Sequence, residues 1–174
     1  FNSRVLMQAH FHDSEVQSKD LGFFSDYLRG LNETWYLTGN FTGTVNEFRL
    51  SHTDLRFGPN GRSKLTGDIA WKGLPDMDHT SVDFNFTPSE VNMADIRQYY
   101  PDSAFNHTIQ KLGNATFDAT FVGTFDNFKT KGNFRTAVGN VFGDLALKLA
   151  DKASPTKYTA NLRAENLELG QLLD

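Results

Sequence analysis

Apolar and polar residues alternate along most of this chain. Trp35, Leu37, Gly39, Phe41, Gly43 and Val45 share one parity, with Thr38, Asn40, Thr42 and Thr44 between them. The same pattern returns at Leu65, Gly67, Ile69 and Trp71, at Val82, Phe84 and Phe86, and at Phe117, Ala119, Phe121, Gly123 and Phe125. Two later runs are Val141, Gly143, Leu145, Leu147, Leu149 and Tyr158, Ala160, Leu162, Ala164. A strand turns successive side chains to opposite faces, so each run predicts one apolar face backed by a polar one. The expected fold class is mainly β, with antiparallel strands covered on a single face.

Turn residues separate these runs. Gly58-Pro59-Asn60-Gly61 predicts a hairpin between Leu55-Arg56-Phe57 and Leu65-Thr66-Gly67. Gly113-Asn114 marks a further turn, and Asp151 to Thr156 a loop between two late strands. Short helices are expected over 18–28, where Ser18 is an N-cap candidate, over 92–100, ending at Pro101, and from Asn166 to Leu173. Aligning Asp20-Leu21, Asp95-Ile96 and Glu168-Leu169 spaces them 75 and 73 residues apart (20 to 95, 95 to 168). Between them, Phe41 to Phe48 lines up with Phe121 to Phe128, and Gly67-Asp68-Ile69 with Gly143-Asp144-Leu145. This predicts repeat units of about 20–94 and 95–168, flanked by the end of one unit and the start of another. Phe1 reads as mid-strand sequence, so the expectation is a fragment of a larger repeat protein.

Composition sharpens this picture. Only 39% of residues are hydrophobic and the mean hydropathy is −0.46, yet 16 residues are Phe, so the apolar side chains must be concentrated on one face. The net charge of −4 is spread without a basic block, and no nucleic-acid footprint is expected. Without cysteine there is neither a disulfide nor a thiolate zinc site. No run of about 18 apolar residues is present to span a membrane as a helix.

Several short motifs resemble those of the TamB family, particularly its Bacteroidetes-type members, which group with AsmA-like and chorein-type bridge-like lipid-transfer proteins. The residues that carry the resemblance are Leu65-Thr66-Gly67-Asp68-Ile69, Gly73-Leu74-Pro75-Asp76, and Phe121 to Phe128 continuing through Phe134–Gly139 to Gly143-Asp144-Leu145. The closing Asn166-Leu167-Glu168-Leu169-Gly170-Gln171-Leu172-Leu173 adds to them, and the resemblance covers residues 14–174. It implies a sheet curled into an elongated, U-shaped groove with an apolar interior, in a periplasmic protein anchored in the inner membrane and reaching the outer one. A closed β-sandwich, in which the apolar faces simply pack on each other, is the alternative.

On the groove reading, the lining is Leu37, Phe41, Val45, Ile69, Phe84, Phe86, Phe117, Phe121, Phe125, Leu145, Leu147 and Leu162. The resemblance implies phospholipid acyl chains as ligand and an outer-membrane TamA- or BamA-like barrel as partner, with no cofactor. The alternative function is assembly, in which exposed strand edges pair with outer-membrane β-barrel chains. The same edges suit edge-to-edge self-association. The glycines at 39, 43, 67, 123 and 143 either thin the inner face where the sheet bends or mark bulges.

Catalytic chemistry is not expected. The sequence carries no Gly-x-Ser-x-Gly, no His-Glu-x-x-His and no phosphate-cradling glycine loop. His10 and His12, near Asp13 and Glu15, could begin a metal site but lack a third ligand at fixed spacing. Asp68 and Asp144 each follow a glycine, where a turn or strand-edge role outweighs acid–base work. Asn-x-Thr sequons occur at Asn32, Asn40, Asn85, Asn106 and Asn114, and Asp102-Ser103-Ala104 resembles a Bacteroidetes O-glycosylation acceptor.

Overall fold

Nine strands form one antiparallel sheet in the order in which they occur along the chain. The computed structural model describes residues 4–23, 29–74, 76, 79–99, 109–150, 154–168 and 170. The strands are β1 (Met7–Gln17), β2 (Thr34–Gly43), β3 (Glu47–Phe57), β4 (Ser63–Lys72), β5 (Ser81–Asn92), β6 (Asn114–Thr124), β7 (Asn127–Thr136), β8 (Gly139–Lys148) and β9 (Lys157–Glu165). β1 and β9 are the two edges, so the sheet does not close into a barrel. Among the described residues all nine strands belong to this one sheet, with no second sheet packed on it.

Six of the eight connections between strands are of two kinds. Tight reversals join β2 to β3, β3 to β4, β6 to β7 and β7 to β8, and the Gly58–Gly61 segment makes the expected hairpin, with Asn60 at φ 58°. Helical segments follow β1, at Ser18–Phe23, and β5, at Met93–Tyr99. Their described parts include tighter 3₁₀ turns where the sequence predicts plain helix. Ser18–Phe23 is a 3₁₀ helix, while residues 24–28 lie outside the described residues. Ser18 is buried and bonds across the loop: its hydroxyl donates to the Leu31 carbonyl at 2.6 Å and accepts from the Glu33 N–H at 3.1 Å. The second is one α-turn, Met93–Ile96, running into the 3₁₀ turn Arg97–Tyr99. Asn92 caps it, accepting from the Ala94 N–H at 3.0 Å. In the third segment, residues 166–168 are not helical, Gly170 is, and 169 and 171–174 lie outside the described residues.

Full burial is confined to a few places. The chain exposes 11253 Å², against about 8,600 Å² for a compact monomer of its 19.6 kDa mass. One dry cluster joins Phe57, Val91, Met93 and Ala115, ringed by Trp35, Leu65, Ile96, Tyr99, Ile109, Leu112 and Phe117. It forms because the β5–β6 connector folds back over one end of the sheet. The Trp35 Nε1–H donates to the Tyr99 hydroxyl at 2.8 Å and fixes that connector against β2.

Candidate functional site

The strand register assembles the alternating runs into a single face. Phe41 stands opposite Ala9 and Leu50, Phe48 opposite Trp71, Ile69 opposite Phe84, Phe84 opposite Phe121, and Gly123 opposite Phe128. Phe128 then faces Leu147, which faces Tyr158. The aromatic rings touch in sequence across six strands. Centroids are 5.2 Å apart for Phe41–Phe48, 6.4 Å for Phe48–Trp71, 5.4 Å for Trp71–Phe84, 6.1 Å for Phe84–Phe121 and 4.4 Å for Phe121–Phe128. Five strand spacings make this row roughly 24 Å long. A second row, Phe86–Phe117–Phe134, has 5.6 Å between each pair of neighbours.

Most predicted lining residues lie on this face. Leu37 faces Ser14 and Leu55, Phe86 faces Ala119, Phe117 faces Phe134, Leu145 faces Ala160, and Leu162 faces Gly143. Ile69 is buried, whereas Leu37, Phe41, Phe84, Phe86, Phe117, Phe121, Leu145 and Leu147 are half-buried and Leu162 is 53% exposed. Val45 and Phe125 are not strand residues. Each sits in a chain reversal, after β2 has ended at Gly43 and β6 at Thr124, so their parity with the preceding strand does not place them on its face. Phe125 nevertheless packs its ring 6.2 Å from Trp71 and 6.3 Å from Phe121. The sequence reading omits Phe48, Leu50, Phe128 and Phe134. The signal for Phe128 and Phe134 is present once Thr130 and Gly132 are allowed between them on an apolar face.

A line of irregularities crosses the middle of β1–β5. Register shifts fall between Phe11 and Ser14, Thr38 and Asn40, Leu50 and Thr53, Lys64 and Gly67, and Phe86 and Ser89. No shift interrupts the pairing from β6 to β9. Polar side chains hold the shifted backbone, Asp68 and Thr38 on the polar face and the buried Ser89 on the other. Asp68 accepts from the His52 N–H at 3.0 Å, Thr38 from Asp13 N–H at 3.1 Å, and Ser89 from Thr66 N–H at 2.9 Å. Asp13 and His52 have φ of 42° and 53° there. Bulges of this kind bend a strand and increase its twist. Gly39 and Gly67 therefore mark irregularities, whereas Gly43, Gly123 and Gly143 lie in regular register.

The opposite face is mainly polar, with Val122 and Phe142 among its charged pairs. Asp54 meets Arg56 at 3.1 Å and Lys64 at 3.0 Å, and Lys72 meets Glu47 at 3.4 Å. Partial burial pushes the Asp54 carboxyl up, but the hydrogen bonds and charges of Arg56 and Lys64 outweigh it and hold the pKa below the ordinary value. The two histidines of β1 go separate ways: His10 Nδ1 lies 2.6 Å from Asn40 Oδ1, and His12 pairs with Asp13 in solvent. Among the described residues, no three His, Asp or Glu side chains gather as a metal site. Ser103 and Asn106 lie outside the described residues. No helix among the described residues is long and apolar enough to cross a membrane. No family model, curated protein or solved structure matches this chain.

Proposed function

We propose that this chain shields lipid acyl chains along the apolar face of its sheet. It would do so as a segment of a periplasmic TamB- or AsmA-like protein that moves phospholipid between the inner and outer membranes. The carrying observation is the half-buried aromatic row from Phe41 to Phe128, which runs across the strands without a charged residue. A closed core would bury these rings. Half-exposed rings offer methylene groups a place to leave water, at about 0.8 kcal/mol for each CH2 buried. The row of roughly 24 Å exceeds the ~15 Å of one leaflet's hydrocarbon, so one acyl chain fits along it with room to move on. The bulges across β1–β5 supply the bend that would curl the sheet into a groove, and head groups would stay in water along its open side.

On this reading the units 20–94 and 95–168 are successive four-strand repeats, each opened by a helical connector. Transport along such a track needs no catalytic residue and no cofactor. A second reading, assembly of outer-membrane barrels with a TamA- or BamA-like partner, draws support from β1 and β9, whose outer backbone edges are unpaired within the sheet.

The test is lipid extraction and native mass spectrometry of the purified chain. Bound phospholipid is expected, and Phe121→Asp should lose it while retaining the β-sheet circular dichroism spectrum. A chain that carries no lipid, and takes none from phosphatidylethanolamine–phosphatidylglycerol vesicles, refutes the proposal. Crosslinking to an unfolded barrel peptide in such a chain would favour assembly.

A further inference from the structure

The two tryptophans of the chain have different surroundings. Trp35 packs against the dry cluster, and its Nε1–H donates to the Tyr99 hydroxyl at 2.8 Å. Trp71 stands in the aromatic row, and its Nε1 is buried without a hydrogen-bond partner among the described residues. A buried indole N–H usually finds an acceptor, because one left unpaired forfeits the bond it would make to water. The rings of Phe48, Phe84 and Phe125, with centroids 6.4, 5.4 and 6.2 Å from that of Trp71, offer only carbon. The other five members of the row are all phenylalanine, and a sixth would fill this place with no stranded donor. Burial and ring stacking account for the row, but not for its one nitrogen.

We infer that Trp71 makes the polar contact to a lipid lying on this face, its Nε1–H donating to the ester carbonyl oxygen of an acyl chain. The inference rests on the acyl-shielding reading above and adds the functional group that is recognised. Trp71 is the last residue but one of β4, and Lys72 beside it is largely in solvent, so the indole stands where the apolar face meets water. A carbonyl is the group that sits at that boundary in an acyl lipid. From Trp71 to Phe128 the row crosses three strand spacings, roughly 14 Å, close to the ~15 Å that one leaflet's acyl chain fills. The chain would run over Phe84 and Phe121, with the head group passing the end of β4 into water.

Because the nitrogen is covered, a ring must move before a carbonyl reaches it. Phe48 and Phe84 are held in the strand register, opposite Trp71 and Ile69. Phe125 sits in the β6–β7 reversal outside the ladder and is 46% exposed, so it is the ring that swings aside. An ester then satisfies the N–H as its acyl chain replaces the Phe125 contact. An ether-linked chain of equal length gains the same burial but leaves the N–H unpaired, so the site distinguishes the two.

Dihexanoylphosphatidylcholine and its dihexyl ether analogue share head group and chain length and differ in the carbonyls. The 174-residue chain has two indole N–H signals in its proton NMR spectrum, which Trp35→Phe or Trp71→Phe assigns. The ester lipid is expected to move the Trp71 signal downfield, to leave that of Trp35 in place, and to bind about three- to tenfold more tightly than the ether. Trp71→Phe should keep ether binding and lose the preference. Circular dichroism reports whether that variant folds; if it does not, the wild-type signal and the ester-to-ether ratio decide alone. Equal wild-type affinity for the two lipids, or an unmoved Trp71 signal with the ester bound, overturns the inference and leaves the acyl-shielding reading standing. Binding of neither lipid overturns both.

Discussion

The carboxylate of Asp95 occupies the space that a β-carbon on Gly58 would need. Gly58 has φ 76° and ψ 177°, a conformation open in practice only to glycine, and this turn brings β3 and β4 under the β5–β6 connector. Asp95 there accepts from Arg62 Nε at 3.1 Å and from the Ser63 hydroxyl at 2.6 Å, while Ser63 accepts from the Asn92 N–H at 3.0 Å. Gly58→Ala should therefore cost about 1–3 kcal/mol from the backbone alone, and more from overlap with Asp95. Urea denaturation reads this directly.

The same carboxylate predicts an acid dependence. Burial pushes Asp95 up, but the hydrogen bonds of Arg62 and Ser63 and the Arg62 charge prevail, so its pKa is lowered in the folded state. A lowered folded pKa stabilises above the unfolded value, near about 3.9, and that contribution is lost as pH falls through the folded value. Wild type should lose stability progressively as pH falls below about 4. Asp95→Asn should be less stable at pH 7 and show a shallower decline over that range. Equal slopes in the two proteins would contradict this.

Two substitutions on one apolar face should behave oppositely. Val91 is 2% exposed in the dry cluster under the connector, so Val91→Asp should abolish cooperative unfolding. Phe121, half-buried in the open row, should accept Asp with the fold retained at a cost of about 1–3 kcal/mol. Thermal melts of the pair settle whether the face is covered.

Thr53 is 3% exposed on that face and its hydroxyl has no hydrogen-bond partner among the described residues. Thr53→Val removes a stranded polar group at nearly constant shape. The melting temperature is expected to hold or to rise, by an amount equivalent to as much as ~1 kcal/mol.

The strands that the sequence reveals best are those with unbroken parity. β4 and β8 show Leu65 to Trp71 and Val141 to Leu147 directly, and β6 shows Phe117 to Phe121. β3 is obscured because its bulge moves the apolar face from Phe48 and Leu50 to Thr53, Leu55 and Phe57, so a period-two reading started at one end fails at the other. β7 is obscured by Thr130 and Gly132, which occupy face positions as small residues between Phe128 and Phe134. Val45 and Phe125 continue the alternation into chain reversals, where parity no longer fixes the face; the Phe125 ring still packs on Trp71 and Phe121. The packing of Met93, Ile96 and Tyr99 over Phe57 and Trp35 is a contact between distant parts of the chain, which local periodicity does not carry.

Strand order equal to chain order has a mechanical consequence. Each strand is hydrogen-bonded only to its predecessor and successor along the chain. Tension drawn on the C-terminal end loads the outermost pair first, opening its ladder bond by bond like a zip before the next is touched. Resistance should come as a series of small, similar force steps, with one taller step where the β5–β6 connector and its Asp95 anchor must come away together.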